Sequence, residues 1–379
     1  MADPIYLDYN ATTPVAPEVV EAMLPFLREH FGNPSSAHPY GARAAKAIAQ
    51  ARRELAGLLG AQSEEIVFTG CATEANNLAL RGVAQALRHK GRHIVTSSIE
   101  HPSVATPLQW LRSEGWDVTA LPVDKFGCVL PENLKRALRD DTVLVSIMHA
   151  NNEVGTIEPI AEFAAIAHAR GALFHADAAQ SVGKIPVDAG ALGVDLLTVA
   201  GHKLYAPKGI GALYVRRGTP LHPVLMGAGQ EGGLRPGTEN VPHIVALGAA
   251  ADLARRRLPE FAHRVRALRD RLHARLTEGF PELQLHGHPQ HRLPNTLHVS
   301  FPGLDGRRLL DEAPEIAASV GSACHEGGEA VSGVLAAMAL SDSEARGAVR
   351  LSLGIPTKED DIDRAAALLI RAARGLQRR

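Results

Sequence analysis

Between about residues 40 and 215 the chain alternates two hydrophobic rhythms. "YGARAAKAIAQARRELAGLLG" places apolar residues at helical spacing and stops at Gly60. The short apolar run "EIVFT" (65–69) follows, and the spacing then predicts a helix over "TEANNLALRGVAQALRHKG" (73–91) with Thr73 as its N-cap. Further short apolar runs lie at "HIVTSS" (93–98), "TVLVSIM" (142–148), "ALFHAD" (172–177), "DLLTVAG" (195–201) and "GALYVRRG" (211–218), most of them separated by helical stretches. Strands of this length alternating with helices predict an α/β fold with a mainly parallel central sheet flanked by helices.

From Val241 to about Glu278 the pattern is helical, and its charged part, "RRRLPEFAHRVRALRDRLHARL", reads as a solvated face rather than a binding patch. It marks the passage to a smaller α+β C-terminal domain with strand-like "NTLHVSF" (295–301) and "AVRLSLG" (348–354). The terminal "TKEDDIDRAAALLIRAARGL" begins acidic and ends basic, as a helix dipole favours.

Composition narrows the partners. A length of 379 residues accommodates two domains. A net charge of −1 supplies no global field for nucleic acid or an anionic membrane, and no apolar run is long enough to span a bilayer. "MADPIYLDYN" lacks the basic and apolar regions of a secretory signal. Cys71, Cys128 and Cys324 are far apart and form no C-x-x-C pair, which argues against a disulfide framework or zinc knuckle and points to a reducing cytoplasm. The histidines of "HGHPQH" (286–291) read as a surface loop and not a metal site, because no cysteine or carboxylate is near in sequence.

The chemistry concentrates where the strands end. The run at 65–69 leads into "GCATEANN", that at 93–98 into "IEHPS", that at 142–148 into "HANNE"; the run at 172–177 ends at "DAAQS", and that at 195–199 leads into "AGHK". Open α/β sheets bind ligands outside the carboxyl ends of their strands. Thr73, His101, Asn152, Asp177, Gln180, His202 and Lys203 should therefore share one polar crevice. Thr73 opens a helix after a glycine-containing turn; that is a phosphate cradle or a plain N-cap. Asp177 ends an apolar strand and needs a cationic partner if buried. Lys203 is either solvent decoration or a Schiff-base lysine. Phosphate cradle, carboxylate, stacking histidine and lysine together match a site for pyridoxal phosphate. Arg350 interrupts an apolar alternation, and a buried arginine there serves either a structural salt bridge or a bound carboxylate.

At these residues the chain resembles the NifS-like cysteine desulfurases, class-V-aminotransferase-like fold-type I pyridoxal-phosphate enzymes. The resemblance runs in order through "YLDYNATTP" (6–14), "GNPSSAH" (32–38), "FTGCATEANN" (68–77), "EHPSV" (100–104), "NNEVGT" (151–156), "DAAQSVGK" (177–184), "GHKLYAPKGIGALYVRRG" (201–218), "RPGTEN" (235–240), "GSAC" (321–324) and "RLSLG" (350–354). It implies a large cofactor-binding domain over 16–257 and a small domain made of 1–15 and 258–379. It implies that Lys203 carries the cofactor, that Asp177 pairs with its ring nitrogen, and that His101 stacks on the ring and moves protons. Asn152 and Gln180 would bond around the ring hydroxyl. Ala72, Thr73, Gly201 and His202 would hold the phosphate, with Thr238 reaching across from the other subunit of a homodimer. Asn33 and Arg350 would bind the carboxylate of L-cysteine.

The resemblance also gives "SVGSACHEGG" (319–328) a purpose. Cys324 would take sulfur from L-cysteine as a persulfide, release L-alanine, and pass the sulfur to an acceptor such as an iron–sulfur scaffold protein. Glycines around it suit a loop that moves. Ala200 stands where many relatives have a phosphate-binding serine. Val320 and His325 are similar to those of selenocysteine lyases, which makes selenocysteine the alternative substrate.

Overall fold

The computed structural model describes residues 3–321 and 332–378. Its strands in chain order are β1 (Ile5–Tyr6), β2 (Ile66–Thr69), β3 (His93–Ser97), β4 (Asp117–Leu121), β5 (Thr142–Ser146), β6 (Leu173–Asp177), β7 (Leu196–Ala200), β8 (Gly211–Val215), β9 (Gln284–His286), β10 (Thr296–Ser300), β11 (Ile316–Ala317) and β12 (Ala348–Ser352). A seven-stranded sheet has the order β2-β8-β7-β6-β5-β3-β4. The neighbours from β7 to β4 pair in parallel, whereas β8 is antiparallel to both β7 and β2. The predicted mainly parallel sheet is therefore present, with β8 as the exception. The connection Gly201–Ile210 holds only a 3₁₀ turn at Gly201–Lys203, too short for a helical crossover back to a parallel start.

The sheet is covered on both faces, and the period of two sorts its residues. Ile66, Phe68, Val95, Phe174, Leu197 and Val199 join one apolar cluster with the helix Pro39–Leu58 and the start of the helix Val241–Gly279. Val67, Ile94, Val118, Leu144, Leu196 and Leu213 join another with the helices Ala72–Leu87 and Pro102–Ser113. The edge strand β4 alternates exposed and buried positions and was not among the predicted strands.

A second core lies around the three-stranded antiparallel sheet β12-β10-β9. Leu297, Val299, Leu351 and Leu353 pack there against the terminal helix Glu359–Gln377 and against Phe261, Val265, Leu272 and Leu276. Those last residues belong to the 39-residue helix Val241–Gly279, whose first half serves the other core. The N-terminus joins this second core: Ile5 and Leu7 are buried in it, β1 pairs in parallel with β11, and Asp8 bridges to Ser352. No helix among the described residues is long and apolar enough to cross a membrane.

The long helix crosses Pro39–Leu58 closely at Gly248, where an added Cβ would lie 2.5 Å from Ala51 Cα. Helix propensity alone favours Gly→Ala by about 1 kcal/mol. Overpacking against backbone costs about 1–3 kcal/mol and should win. Gly248→Ala is expected to lower the midpoint of urea unfolding; an unchanged or raised midpoint would show that this crossing has slack.

Candidate active site

The carboxyl ends of β2, β3, β5, β6 and β7 open into one cleft of about 280 Å³. Ala72, Thr73, His101, Asn152, Asp177, Gln180, His202, Lys203 and Arg350 line it, joined by Asn10, Cys71 and Ala200. Gly201 is buried beside it at the start of the turn that carries Lys203. The structure thus brings together all but three of the predicted site residues.

The helix after β2 begins at Ala72, with Cys71 at its N-cap position; Thr73 stands inside the first turn, not at the predicted cap. No side chain caps this end, which leaves the first-turn amides, with the positive end of the dipole behind them, suited to an anion. Gly211 lets β8 run against this turn, because a Cβ there would meet Cys71 C at 2.6 Å and Ala72 N at 2.9 Å. Ala200 lies in the wall and offers no hydroxyl.

Asp177 is 5% exposed at the end of β6 and makes no ion pair with any described residue. Its Oδ1 accepts from Ala179 N at 2.9 Å and its Oδ2 from Asn76 Nδ2 at 2.8 Å. The same Asn76 amide donates to Ser103 Oγ at 2.9 Å, and Ser103 Oγ lies 2.8 Å from His101 Nδ1. His101 Nδ1 also accepts from Ser103 N at 3.1 Å. An Nδ1 that accepts leaves the proton on Nε2 when the ring is neutral. Burial, then the charge of Lys203, push the imidazole below its ordinary range, while Asp177 pulls the other way. His202 is pushed down to about 4 by burial and by Lys203 and Lys208, so it too is neutral near pH 7. Its Nδ1 lies 3.2 Å from Thr12 Oγ1.

The far wall is organised by Asn10, which is 1% exposed. Its carbonyl accepts from Gln180 Nε2 at 3.0 Å, and its Nδ2 donates to Asn152 O at 3.2 Å and Thr296 Oγ1 at 2.9 Å. Its Oδ1 accepts from Lys184 Nζ at 3.1 Å and Asn295 Nδ2 at 3.0 Å, and its amide N–H reaches Ser352 Oγ at 2.9 Å. Arg350, 2% exposed on β12, donates from one terminal nitrogen to Asn152 O at 3.0 Å and from the other to Asp8 Oδ1 at 2.7 Å. Of the two roles left open by the sequence, the salt bridge is present, to Asp8, and the guanidinium also lines the cleft. Sequence reasoning missed Asn10, Asn76, Ser103, Asp8 and Lys184. All five stood inside the quoted motifs, but only the folded chain gives them partners.

Asn33 does not join Arg350. It is exposed, its Oδ1 accepts from Ser35 N at 2.9 Å, and it lines a separate cleft of about 320 Å³ together with Thr238 and Phe31. Gly32 presses this loop onto Tyr40, where a Cβ would lie 2.4 Å from the backbone, so the loop follows its helix and not the Lys203 cleft. Cys324 and His325 lie outside the described residues. The residues flanking that segment both meet Glu153: Ser332 Oγ donates to its Oε2 at 2.5 Å, and a Cβ on Gly321 would lie 3.2 Å from the same oxygen. Ser319 pairs with Arg350 through Arg350 N, 2.7 Å from Ser319 O. Cys128 is half-buried, and burial with Glu158 and Asp124 pushes its thiol up to about 12. The predicted histidine loop is part strand: His286 is buried on β9 at 2.6 Å from Ser300 Oγ, while His288 and His291 stack 4.6 Å apart beyond it.

Comparison with known proteins gives the family. Residues 5–365 match the family "Aminotransferase class-V". A cysteine desulfurase IscS of Dictyoglomus turgidum is 46% identical over 361 residues, covering 95% of this chain and 92% of the relative. That of Methanosarcina thermophila is 48% identical over 362 residues, covering 95% and 89%. Among solved structures, a NifS-like protein superposes with a TM-score of 0.91 at 38% identity, covering 99% of both chains. SspA in complex with cysteine gives 0.80 at 39% identity, covering 92% of this chain and 98% of that one. The chain belongs to the class-V aminotransferase family and, within it, to the cysteine desulfurases.

Proposed function

We propose that the protein converts L-cysteine to L-alanine with pyridoxal phosphate held in the Lys203 cleft, and that Cys324 receives the sulfur. The observation that carries the cofactor assignment is Asp177, a buried carboxylate with no cationic partner among the described residues, facing the same cleft as a lysine and an uncapped helix N-terminus. A buried carboxylate needs a cation, and a protonated pyridine nitrogen is one. Lys203 would hold the aldehyde carbon, the Ala72–Thr73 turn with Gly201 and His202 the phosphate, and Asn152 and Gln180 the ring oxygen. Bound there, the cofactor supplies an electron sink for the bonds of the amino acid.

The chain's own groups then divide the work. Asp177, anchored by Asn76 and Ala179 N, would pair with the ring nitrogen. His101 is neutral with its Nε2 proton available, placed by Ser103 to shuttle a proton at the reacting carbon. Arg350, aimed by Asp8, presents its remaining N–H groups to the substrate carboxylate. The Cys324 thiolate would form an S–S bond to the substrate sulfur as the C–S bond breaks; the carbon left behind takes a proton and leaves as alanine. The described residues on either side of this segment, Ser319 at Arg350 and Gly321 and Ser332 at Glu153, support this role for Cys324. A reducing cytoplasm suits such a thiol, and a sulfur-acceptor protein such as an iron–sulfur scaffold would take the persulfide onward. The relatives named above favour sulfur over the selenocysteine alternative.

A homodimer accompanies this reading. Phe31 is 76% and Tyr40 56% exposed, and their rings lie 5.6 Å apart beside the cleft that holds Asn33 and Thr238. Large exposed aromatics beside polar groups mark an association surface. Thr238, absent from its own chain's Lys203 cleft, would complete the partner's.

The purified protein with pyridoxal phosphate, L-cysteine and a thiol reductant should release alanine and sulfide in equal amounts, and faster than it handles L-selenocysteine. Cys324→Ala should abolish sulfide release while still binding the cofactor; sulfide release by that variant would overturn the role of the thiol. Asp177→Asn keeps the size of the side chain but loses the charge and one of its two acceptors, lowering kcat about 100-fold, the equivalent of about 2.7 kcal/mol. Near-normal turnover with full cofactor occupancy would refute the pyridinium assignment. Light scattering should show a dimer that Phe31→Asp weakens together with cofactor affinity, and an active monomer would remove Thr238 from the site.

A further inference from the structure

Lys184 is 4% exposed, yet no carboxylate among the described residues pairs with it. Burying an amine this deeply is expensive unless its hydrogen bonds are exacting. Its Nζ donates to Gln180 Oε1 at 2.6 Å and to Asn10 Oδ1 at 3.1 Å. Both partners line the active cleft, but Lys184 itself does not.

The donor–acceptor pattern says what this accomplishes. An amide side chain has two faces that differ only in chemistry: oxygen accepts, nitrogen donates. Gln180 turns its oxygen to Lys184 and its nitrogen to the Asn10 carbonyl, 3.0 Å away. The reversed amide would set its N–H groups against the lysine's and its oxygen against a carbonyl oxygen. With one N–H spent on Asn10, the other remains for the cleft. Burial, reinforced by the charges of Lys203 and Arg350, holds the Lys184 amine well below the ordinary lysine range. A neutral amine still has two N–H groups, enough for both bonds, and in either charge state the Asn10 carbonyl, which can only accept, also opposes the reversed amide.

We propose that Lys184 is a positioning residue that locks the Gln180 amide so that an N–H, not an oxygen, faces the ring oxygen of bound pyridoxal phosphate. The proposal rests on the reading that Gln180 faces the cofactor, and the test separates the two.

Pyridoxal phosphate is removed from the purified protein and titrated back, with affinity and the visible absorption maximum as readouts. Gln180→Ala should weaken binding about tenfold, and Lys184→Met should do the same and move the absorption maximum in the same direction. In the Gln180→Ala background, Lys184→Met should add no more than about twofold, because the two residues act as one unit. A full, additive loss in that background would mean a general packing role and overturn the proposal. Unchanged affinity in Lys184→Met, with Gln180→Ala weakened, overturns the positioning alone; unchanged affinity in Gln180→Ala overturns the cofactor-facing reading and the proposal with it. Gln180→Glu covers the case in which Lys184→Met fails to fold. It keeps an acceptor toward Lys184 but removes the N–H, so it should bind pyridoxal phosphate more weakly while remaining folded; unchanged affinity would again overturn the proposal.

Discussion

One buried amide ties the structure to its chemistry. Every polar atom of Asn10 is bonded, and its partners come from the segment after β6 (Gln180 and Lys184), from the cleft wall (Asn152) and from the small sheet and its flanks (Thr296, Asn295 and Ser352). A buried network is stabilising only when all its members are satisfied. Here satisfaction also fixes position, since Asn152 passes the constraint to Arg350 through its carbonyl. The two cores, each coherent in its own apolar packing, are registered to each other at the site by these polar contacts.

Around that scaffold the charges are kept few and directed. His101 and His202 are held neutral by burial and by Lys203. Glu100, next to His101 in sequence and beneath the cleft, is pushed up to about 8, chiefly by burial, and so is mostly protonated near neutral pH. It accepts from Ser97 Oγ at 2.6 Å and Met148 N at 2.9 Å. Glu158, behind it, is raised for the same reason. Neither adds a full negative charge that would compete with Asp177 for a cation.

The sheet was legible because its strands are buried on both faces and read as mostly apolar runs, as at Leu196–Ala200, where only Thr198 interrupts. β4 was harder: at the edge, half of "DVTAL" faces outward and the signal is diluted. The direction of β8 was hidden in a connection length and not in its own residues. Site residues at strand ends were readable from position alone. Asn33 was carried over by motif, and its actual place is set by the contact of Gly32 with Tyr40, which no local pattern announces. Lys184 and Asn10 were invisible for a related reason. A buried polar residue has the same letter as an exposed one, and only its partners, 174 positions apart in this case, reveal which it is.

The chain's opening residues carry a consequence for how the protein is made. Leu7, Asp8, Tyr9 and Asn10 are held by Ser352 and Arg350, across sequence separations that reach 345 residues. Such contacts cannot form until β12 has been synthesised. Residues 7–10 must therefore wait for these partners while the several hundred residues between them and β12 are made. Until then Gln180 and Arg350 lack their anchors, and a nascent chain cannot process the free amino acid around it, whatever the state of its larger core.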